Sequence, residues 1–138
     1  MRTNVILKKT YFDLGILILR IYLGVVLIWM SSGYLFDSTS MEGLQSFLES
    51  MDWPAPKLFA YSSQLIELIG GAMLILGFRF GAWVLVGVLM SAVIFAHGFR
   101  IFEDAALPMH FAIMAWVIAL AGCGKYSLDT LFFQTKNQ

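Results

Sequence analysis

Residues 14–36, LGILILRIYLGVVLIWMSSGYLF, decide the fold of this chain, because this long apolar run carries a single charge, Arg20. A transmembrane helix needs about 20 consecutive apolar residues to cross a hydrocarbon core about 30 Å thick. A secretory signal has an apolar region of only about 7–15 residues, followed by a small-x-small cleavage pattern that is missing here. The run is therefore predicted to be an uncleaved first membrane span.

Three further apolar segments follow, at residues 58–77, 80–97 and 107–122, and each is nearly free of charge. The whole chain is 59% hydrophobic and 13% charged, whereas soluble domains carry about 25% charged residues. These features predict an all-α fold, an integral membrane four-helix bundle that forms a single domain over residues 1–138.

Basic residues are distributed unequally between the two sides of the predicted bundle. Six Lys and Arg residues flank the spans on the side of the N-terminus, and two flank them on the other side: Arg2, Lys8, Lys9, Arg79, Lys125 and Lys136 against Lys57 and Arg100. Short cytoplasmic loops carry an excess of Lys and Arg. Both termini are therefore predicted to be cytoplasmic.

The first outer loop, residues 38–56, has the pattern of a short amphipathic helix. Thr39-x-x-Glu42 reads as a capping box at its start, and Pro54 and Pro56 would end it and turn the chain into the second span. Apolar residues recur at spacings of three, four and three: Met41, Leu44, Leu48 and Met51. Such a helix is expected to lie on the outer membrane surface, as a structural lid over the bundle or as a docking surface for a partner.

Charge and cysteine content exclude several function classes. The formal net charge is zero, so nucleic-acid binding is not expected. The one cysteine, Cys123, excludes an internal disulfide, a dithiol pair and a cysteine-rich metal centre. The methionines form no cluster that would suggest a copper path, so no metal site is expected.

Arg20 and Glu67 are the full charges inside the predicted spans, and each costs about 2.5–3.5 kcal/mol at a helix centre, so each needs a partner or a role. On a helix, positions three and four apart share a face. Glu67 thus shares a small, polar face with Ser63, Gln64, Gly70 and Gly71. The corresponding face around Arg20 contains Asp13, Leu17, Gly24, Leu27 and Ser31. Both faces are expected to look into the bundle, where Gly24 would allow close helix approach.

Two arrangements of Arg20 and Glu67 remain open from the sequence. They could pair directly, since an arginine side chain can bridge their offset along the bundle axis. Alternatively, Arg20 extends to the inner surface while Glu67 is protonated and hydrogen-bonded. A carboxyl inside the bundle would also suit proton exchange with a quinone or along a relay.

Two histidines, His97 and His110, close the third span and open the fourth, so both are expected near the outer surface. Imidazole can ligate haem iron or move a proton. Histidines at such boundaries more often bond to loop backbone or water, and no other feature singles out haem, so haem is not expected. A share in a quinone head-group site is the alternative role.

Several stretches together resemble the DoxX family of small bacterial membrane proteins. They are LILR with Gly24 at residues 17–24, GLQSFL and WPAP at 43–48 and 53–56, ELIGG at 67–71, HG at 97–98, and GCGKYSLD at 122–129. This resemblance places the family's arginine at Arg20 and its glutamate at Glu67. The chain departs from the family pattern at Met30, Ser31 and Tyr34, where histidine and lysine are frequent, and at Cys123, where proline is usual.

The resemblance implies a multi-pass subunit in the bacterial inner membrane that accompanies redox systems, including quinone-linked complexes. Glu67 and Arg20 are then the candidates for chemistry, and any catalysis would belong to a quinone-linked oxidoreductase complex. The candidates for a quinone site are Arg20, Ser63, Gln64, Glu67, His97 and His110. Expected partners are the lipid bilayer and either other membrane subunits or further copies of this chain. A non-catalytic structural subunit and a small transporter or channel are the alternatives.

Overall fold

A computed structural model describes the backbone of residues 2–96, 98 and 106–135, and the side chains of residues 9–96 and 106–131. Helices are the only regular secondary structure in these ranges. They are α1 (Arg2–Phe36), α2 (Ser38–Glu49), α3 (Pro56–Leu76), α4 (Arg79–Ser91), a π-helical segment (Ala92–Ala96), α5 (Ala106–Ala121) and α6 (Leu128–Thr135). The all-α prediction is therefore confirmed for the described residues.

Three helical stretches in the described residues are long and apolar enough to cross a membrane: Lys9–Phe36, Pro56–Leu76 and Arg79–Ala96. In an apolar 18-residue part of each stretch, only 33%, 28% and 28% is buried inside the protein. Their remaining apolar surface requires a hydrocarbon environment, because large exposed apolar patches are rare in soluble monomers. The fourth apolar helix, α5, has 16 residues. The chain is therefore a membrane protein that contacts the lipid bilayer.

The helix limits differ from the predicted spans in three places. Helix α1 begins at Arg2 instead of residue 14, because helical backbone continues beyond the apolar run. The third span remains α-helical only to Ser91 and continues as the π segment. Helix α6 was not predicted. Helix α1 therefore includes Arg2, Lys8 and Lys9, although hydropathy alone places these basic residues outside a span.

Helices α1, α3, α4 and α5 pack in a ring, with α1 against α3, α3 against α4, α4 against α5 and α5 against α1. Helices α1 and α3 approach each other closely at Gly24 and Gly71. A Cβ atom on Gly24 would lie 2.6 Å from the carbonyl oxygen of Gly71, and one on Gly71 would lie 2.9 Å from that of Gly24. Small residues allow such contacts in membrane bundles, and the predicted close approach at Gly24 is confirmed.

Helix α2 covers one end of this ring, which we call the α2 end. Its own residues Met41 and Leu48 are buried in a cluster with Ala60 of α3, and Leu44 packs beside them. The predicted capping box at Thr39 is wrong: the helix begins at Ser38, and its N-cap is Asp37, whose carboxylate accepts from the backbone N–H groups of Thr39 and Ser40. Aspartate and threonine both cap helices well, so residue type alone does not fix the register.

The opposite end of the ring, which we call the turn end, contains the turn between α3 and α4. Residues 122–129 fold back against this turn. The Asp129 carboxylate accepts from the Arg79 backbone N–H at 2.7 Å, at the start of α4. The Arg79 side chain in turn donates through Nε to the Ala119 carbonyl near the end of α5 at 2.7 Å. These bonds satisfy an N–H group at the start of α4 and a carbonyl near the end of α5, which have no partner within their own helices. They also connect α4, α5 and residues 122–129.

Candidate functional site

A cavity of about 720 Å³ lies inside the α2 end of the bundle. All four helices of the ring and α2 contribute to its wall, which is mostly apolar. Binding sites for small molecules typically occupy about 300–1,000 Å³ and combine an apolar lining with a few polar groups. The size and lining of this cavity are therefore those of a ligand site.

One wall of the cavity is the polar face predicted for α3. Ser63, Gln64 and Glu67 all line it, and Glu67 is half-buried. The hydroxyl of Ser31, a fully buried residue of α1, donates to Glu67 Oε2 at 3.4 Å. Gln64 is 7% exposed, and its Oε1 atom is buried without a hydrogen-bond partner in the described residues. Helices α1 and α3 thus bring polar groups to an otherwise apolar chamber.

The serine hydroxyls that line the cavity donate their protons to backbone carbonyls. Ser62 donates to the carbonyl of Phe59 at 3.2 Å, Ser63 to that of Ala60 at 3.0 Å, and Ser91 to that of Val88 at 2.7 Å. Each bond reaches back one turn along the residue's own helix, as serines in helices often do. What these hydroxyls offer to the cavity is therefore oxygen lone pairs.

A group of three aromatic residues lines the cavity next to α2. The Trp53 ring makes edge contacts with Phe59 of α3, at a centroid distance of 5.5 Å, and with Phe95 of the π segment, at 6.0 Å. All three residues line the cavity. The indole Nε1 of Trp53 is buried without a hydrogen-bond partner in the described residues. A π-helical turn beside a cavity is frequent at functional sites.

Arg20 does not line this cavity; it lies at the turn end. Its guanidinium donates from Nη1 to the Cys123 carbonyl at 2.7 Å and from Nη2 to the Tyr126 carbonyl at 2.6 Å. A Cβ atom on Gly77 would lie 2.7 Å from Nη1, and Gly77 has a φ of +87°, a backbone conformation that suits glycine. Arg20 is 2% exposed. The structure thus bonds Arg20 to backbone carbonyls, while Glu67 bonds to Ser31.

Of the two histidines, His110 is the one that the structure describes. His110 is exposed, and its Nδ1 is hydrogen-bonded to the Ala106 carbonyl of its own helix. It does not line the cavity. His97 lies outside the described residues. The structure therefore brings together Ser63, Gln64 and Glu67 from the predicted quinone site, and leaves Arg20 and His110 apart from them.

The thiol of Cys123 is another group that could carry chemistry. Burial raises the pKa of the Cys123 thiol, and the nearby positive charge of Arg20 only partly opposes this effect. A buried, protonated thiol is a poor nucleophile. In the ranges that the structure describes, no three His, Cys, Asp or Glu side chains are grouped so as to hold a metal ion. The polar side of the cavity is thus the candidate functional site.

Sequence reasoning missed the aromatic side of this site. Trp53 was noted only within the WPAP stretch, and neither Phe59 nor Phe95 was singled out, because isolated aromatic residues in apolar segments give no pattern. The amphipathic helix α2 was the available signal, since a lid over the bundle implies a space beneath it. The presence of α2 therefore indicates at which end of the bundle the cavity lies, but it does not indicate which aromatic side chains line it.

Comparisons with known proteins place the chain by family alone. A family model described as DoxX matches residues 15–98, a range that includes α2, α3, α4 and most of α1. Residues 122–129 lie outside the matched range. Neither a search of curated proteins nor a search of solved structures found a significant match.

Proposed function

This chain belongs to the DoxX family, as its sequence motifs predicted, and from that premise we propose that it is a subunit of a redox or respiratory assembly that contacts the quinone pool. The proposed location is the bacterial inner membrane, with both termini in the cytoplasm. In that orientation the α2 end faces outward, and all four helices of the ring span the bilayer.

The observation that carries this proposal is the cavity at the α2 end. A quinone is a planar apolar ring with two oxygen atoms, so its site needs apolar walls and a few polar groups. The cavity of about 720 Å³ provides both. A tightly packed polar interior would instead have favoured a purely structural subunit, and a space of this size argues against that alternative.

Glu67 is the group that we assign to proton exchange with a bound ring. It lies on the cavity wall and is half-buried. Its Oε2 accepts a hydrogen bond from Ser31, which orients the carboxyl group. General acid–base transfer requires a carboxyl within hydrogen-bond reach of the reacting oxygen, and a ring held in this cavity would meet that condition. Arg20, in contrast, serves packing at the turn end.

Native mass spectrometry of the protein, extracted gently from its own membranes, tests the proposal. Quinone or redox subunits that remain bound to the chain in fixed stoichiometry would support it. A bare oligomer with lipid alone would contradict it and favour the structural subunit. This measurement also identifies whether the partners are other membrane subunits or further copies of the chain.

Glu67→Gln tests the role of the carboxyl separately, because glutamine keeps the size of the side chain and removes its acidity. The variant should assemble normally and retain a bound ring, while the activity of the parent complex falls at least about a hundredfold, the lower end of general acid–base contributions. Unchanged activity with normal assembly would remove Glu67 from any proton transfer. Glu42→Gln, the same chemical change at an exposed residue of α2 that does not line the cavity, is the matched control.

A further inference from the structure

Helices α3 and α4 are in close contact near the turn end and separate toward the α2 end. A Cβ atom on Gly70 of α3 would lie 2.7 Å from Cγ of Leu85 in α4. Nearer the turn, a Cβ atom on Gly81 of α4 would lie 2.6 Å from Cβ of Met73 in α3. Toward the α2 end, the π segment packs more closely against α5 than against α3. The two helices therefore form a wedge that widens toward the α2 end.

The wide part of this wedge is one side of the cavity. Ile66 of α3 and Val88 of α4 lie about one turn beyond the contact at Gly70, and both line the cavity. Phe59 of α3 and Phe95 of the π segment line it farther along. Phe59, Ile66 and Phe95 are nevertheless 44%, 37% and 64% exposed. Side chains that line a cavity and also face outward form its rim. The cavity therefore opens between α3 and the π segment, and we call this opening the side slot.

The side slot reaches the depth of the hydrocarbon core. Helix α3 has 21 residues, Pro56–Leu76, and Ile66 is the middle one, so it lies about 15 Å from either end of the helix. When α3 spans a hydrocarbon core about 30 Å thick, the exposed side of Ile66 contacts lipid chains. At this depth the slot connects the cavity with the interior of the bilayer.

The slot and the polar wall of the cavity lie side by side. Glu67 directly follows Ile66 in α3, about 100° round the helix axis, and it lines the same cavity. On the proposed function, which this step takes as its premise, we infer that the quinone enters from the bilayer through the side slot and leaves its isoprenoid tail there. The ring then meets Glu67 at the depth of the slot, while the apolar tail stays out of water.

Photo-crosslinking locates the tail. The full chain is held in lipid nanodiscs under anaerobic conditions with two short-tailed ubiquinol probes, one with a diazirine on the ring and one with a diazirine in the first isoprene unit of the tail. Peptide mass spectrometry then identifies the labelled residues. The tail probe should label α3 at Ile66 and the π segment at Phe95, and the ring probe should label the inner wall, for example at Met30. Excess ubiquinol without a diazirine should suppress both patterns.

Ile66→Trp narrows the side slot and tests it independently. Binding is measured for short-tailed ubiquinol and for the same ring without a tail, and empty nanodiscs correct for partition into lipid. Affinity for the tailed ligand should fall about tenfold, since the tail must displace a large side chain. The tailless ring should keep its affinity within about twofold, because an equilibrium constant does not depend on the route of entry. Ile69→Trp is the matched control, since Ile69 is an exposed residue of α3 that does not line the cavity.

The possible results separate the side slot from the quinone site itself. Tail labelling on α2 at Leu44 and Phe47, or equal effects of Ile66→Trp on the two ligands, would place the tail elsewhere and overturn the inference while a quinone site remains. If neither ring bound and no labelling were suppressed by excess ubiquinol, the quinone site and the slot would fail together. Should Ile66→Trp not accumulate, labelling of the unmodified chain still decides. Labelling at the slot with a loss confined to the tailed ligand supports both.

Discussion

The guanidinium of Arg20 donates to the backbone carbonyl of Cys123 at 2.7 Å, across 103 positions of sequence. Its second bond, to the Tyr126 carbonyl at 2.6 Å, lies in the same segment. Asp13, about two helical turns before Arg20 on α1, accepts from the Lys125 backbone N–H at 3.3 Å. Two charged side chains of α1 thus hold residues 122–129 against the turn end. The turn end of the bundle is thus packed and rich in polar contacts, whereas the α2 end contains the cavity.

Arg20→Met should lower the free energy of unfolding by about 3–6 kcal/mol, because it removes two hydrogen bonds from a charged donor, each of which contributes about 1.5–3 kcal/mol. Arg20→Lys keeps the charge but replaces the planar fork with one ammonium group, so an intermediate loss is expected. Unfolding in increasing dodecyl sulfate measures both variants. Ligand binding at the α2 end should stay unchanged. Loss of ring binding with normal stability would contradict this structural role and show that Arg20 contributes to the functional site.

Gly24→Ala should destabilise the bundle, because the added Cβ would lie 2.6 Å from the Gly71 carbonyl oxygen and would force α1 away from α3. Overpacking of this kind costs about 1–3 kcal/mol. Gly15→Ala is the matched control in the same helix, since a Cβ there meets nothing within 4 Å. It should be neutral or stabilising by roughly 0.5–1 kcal/mol. Equal unfolding curves for the two variants would contradict the proposed crossing point.

The N-cap of α2 should depend on pH through Asp37. Hydrogen bonds, above all from the Ser40 hydroxyl and then from the Ser40 and Thr39 backbone N–H groups, lower the pKa of this exposed carboxyl below its usual value. A lowered folded-state pKa means that the cap is fully stabilising above the ordinary aspartate pKa of about 3.9. The stabilisation is lost as pH falls through the lowered value.

Amide hydrogen exchange at Thr39 and Ser40, corrected for intrinsic rates, measures this effect. Protection should decrease in acid in the unmodified chain and stay nearly constant with pH in Asp37→Asn, which caps a helix without titrating. Asp37→Ala should lower the protection at every pH. If Asp37→Asn showed the same acid loss as aspartate, another titrating group would control the start of α2.

The sequence predicted those features that depend on helix periodicity. The polar face of α3 and the small-residue contact at Gly24 follow from positions three and four apart, and the structure places both inside the bundle. The partners of Arg20 could not be predicted, because they are backbone carbonyls, which every residue carries. The π segment and the unpaired Trp53 indole likewise depend on tertiary packing, which leaves no local pattern.

The cavity itself is tested by filling it. Ala92 lies at the start of the π segment and lines the cavity, so Ala92→Phe should occupy part of the space that a ring needs. We expect ubiquinol binding in nanodiscs to fall at least about tenfold, since a ligand that must displace a packed side chain loses contacts worth more than the 1.4 kcal/mol that corresponds to this factor.

Ala72→Phe is the control for this variant, because Ala72 is an exposed helical residue of α3 that does not line the cavity. It adds the same side chain on the lipid-facing surface and should preserve both ring binding and the unfolding transition. Should Ala92→Phe bind ubiquinol as tightly as Ala72→Phe does, the ring is held elsewhere on the protein. Loss of binding in Ala92→Phe alone, with equal unfolding of the two variants, requires the ligand to lie between α2 and the polar face of α3.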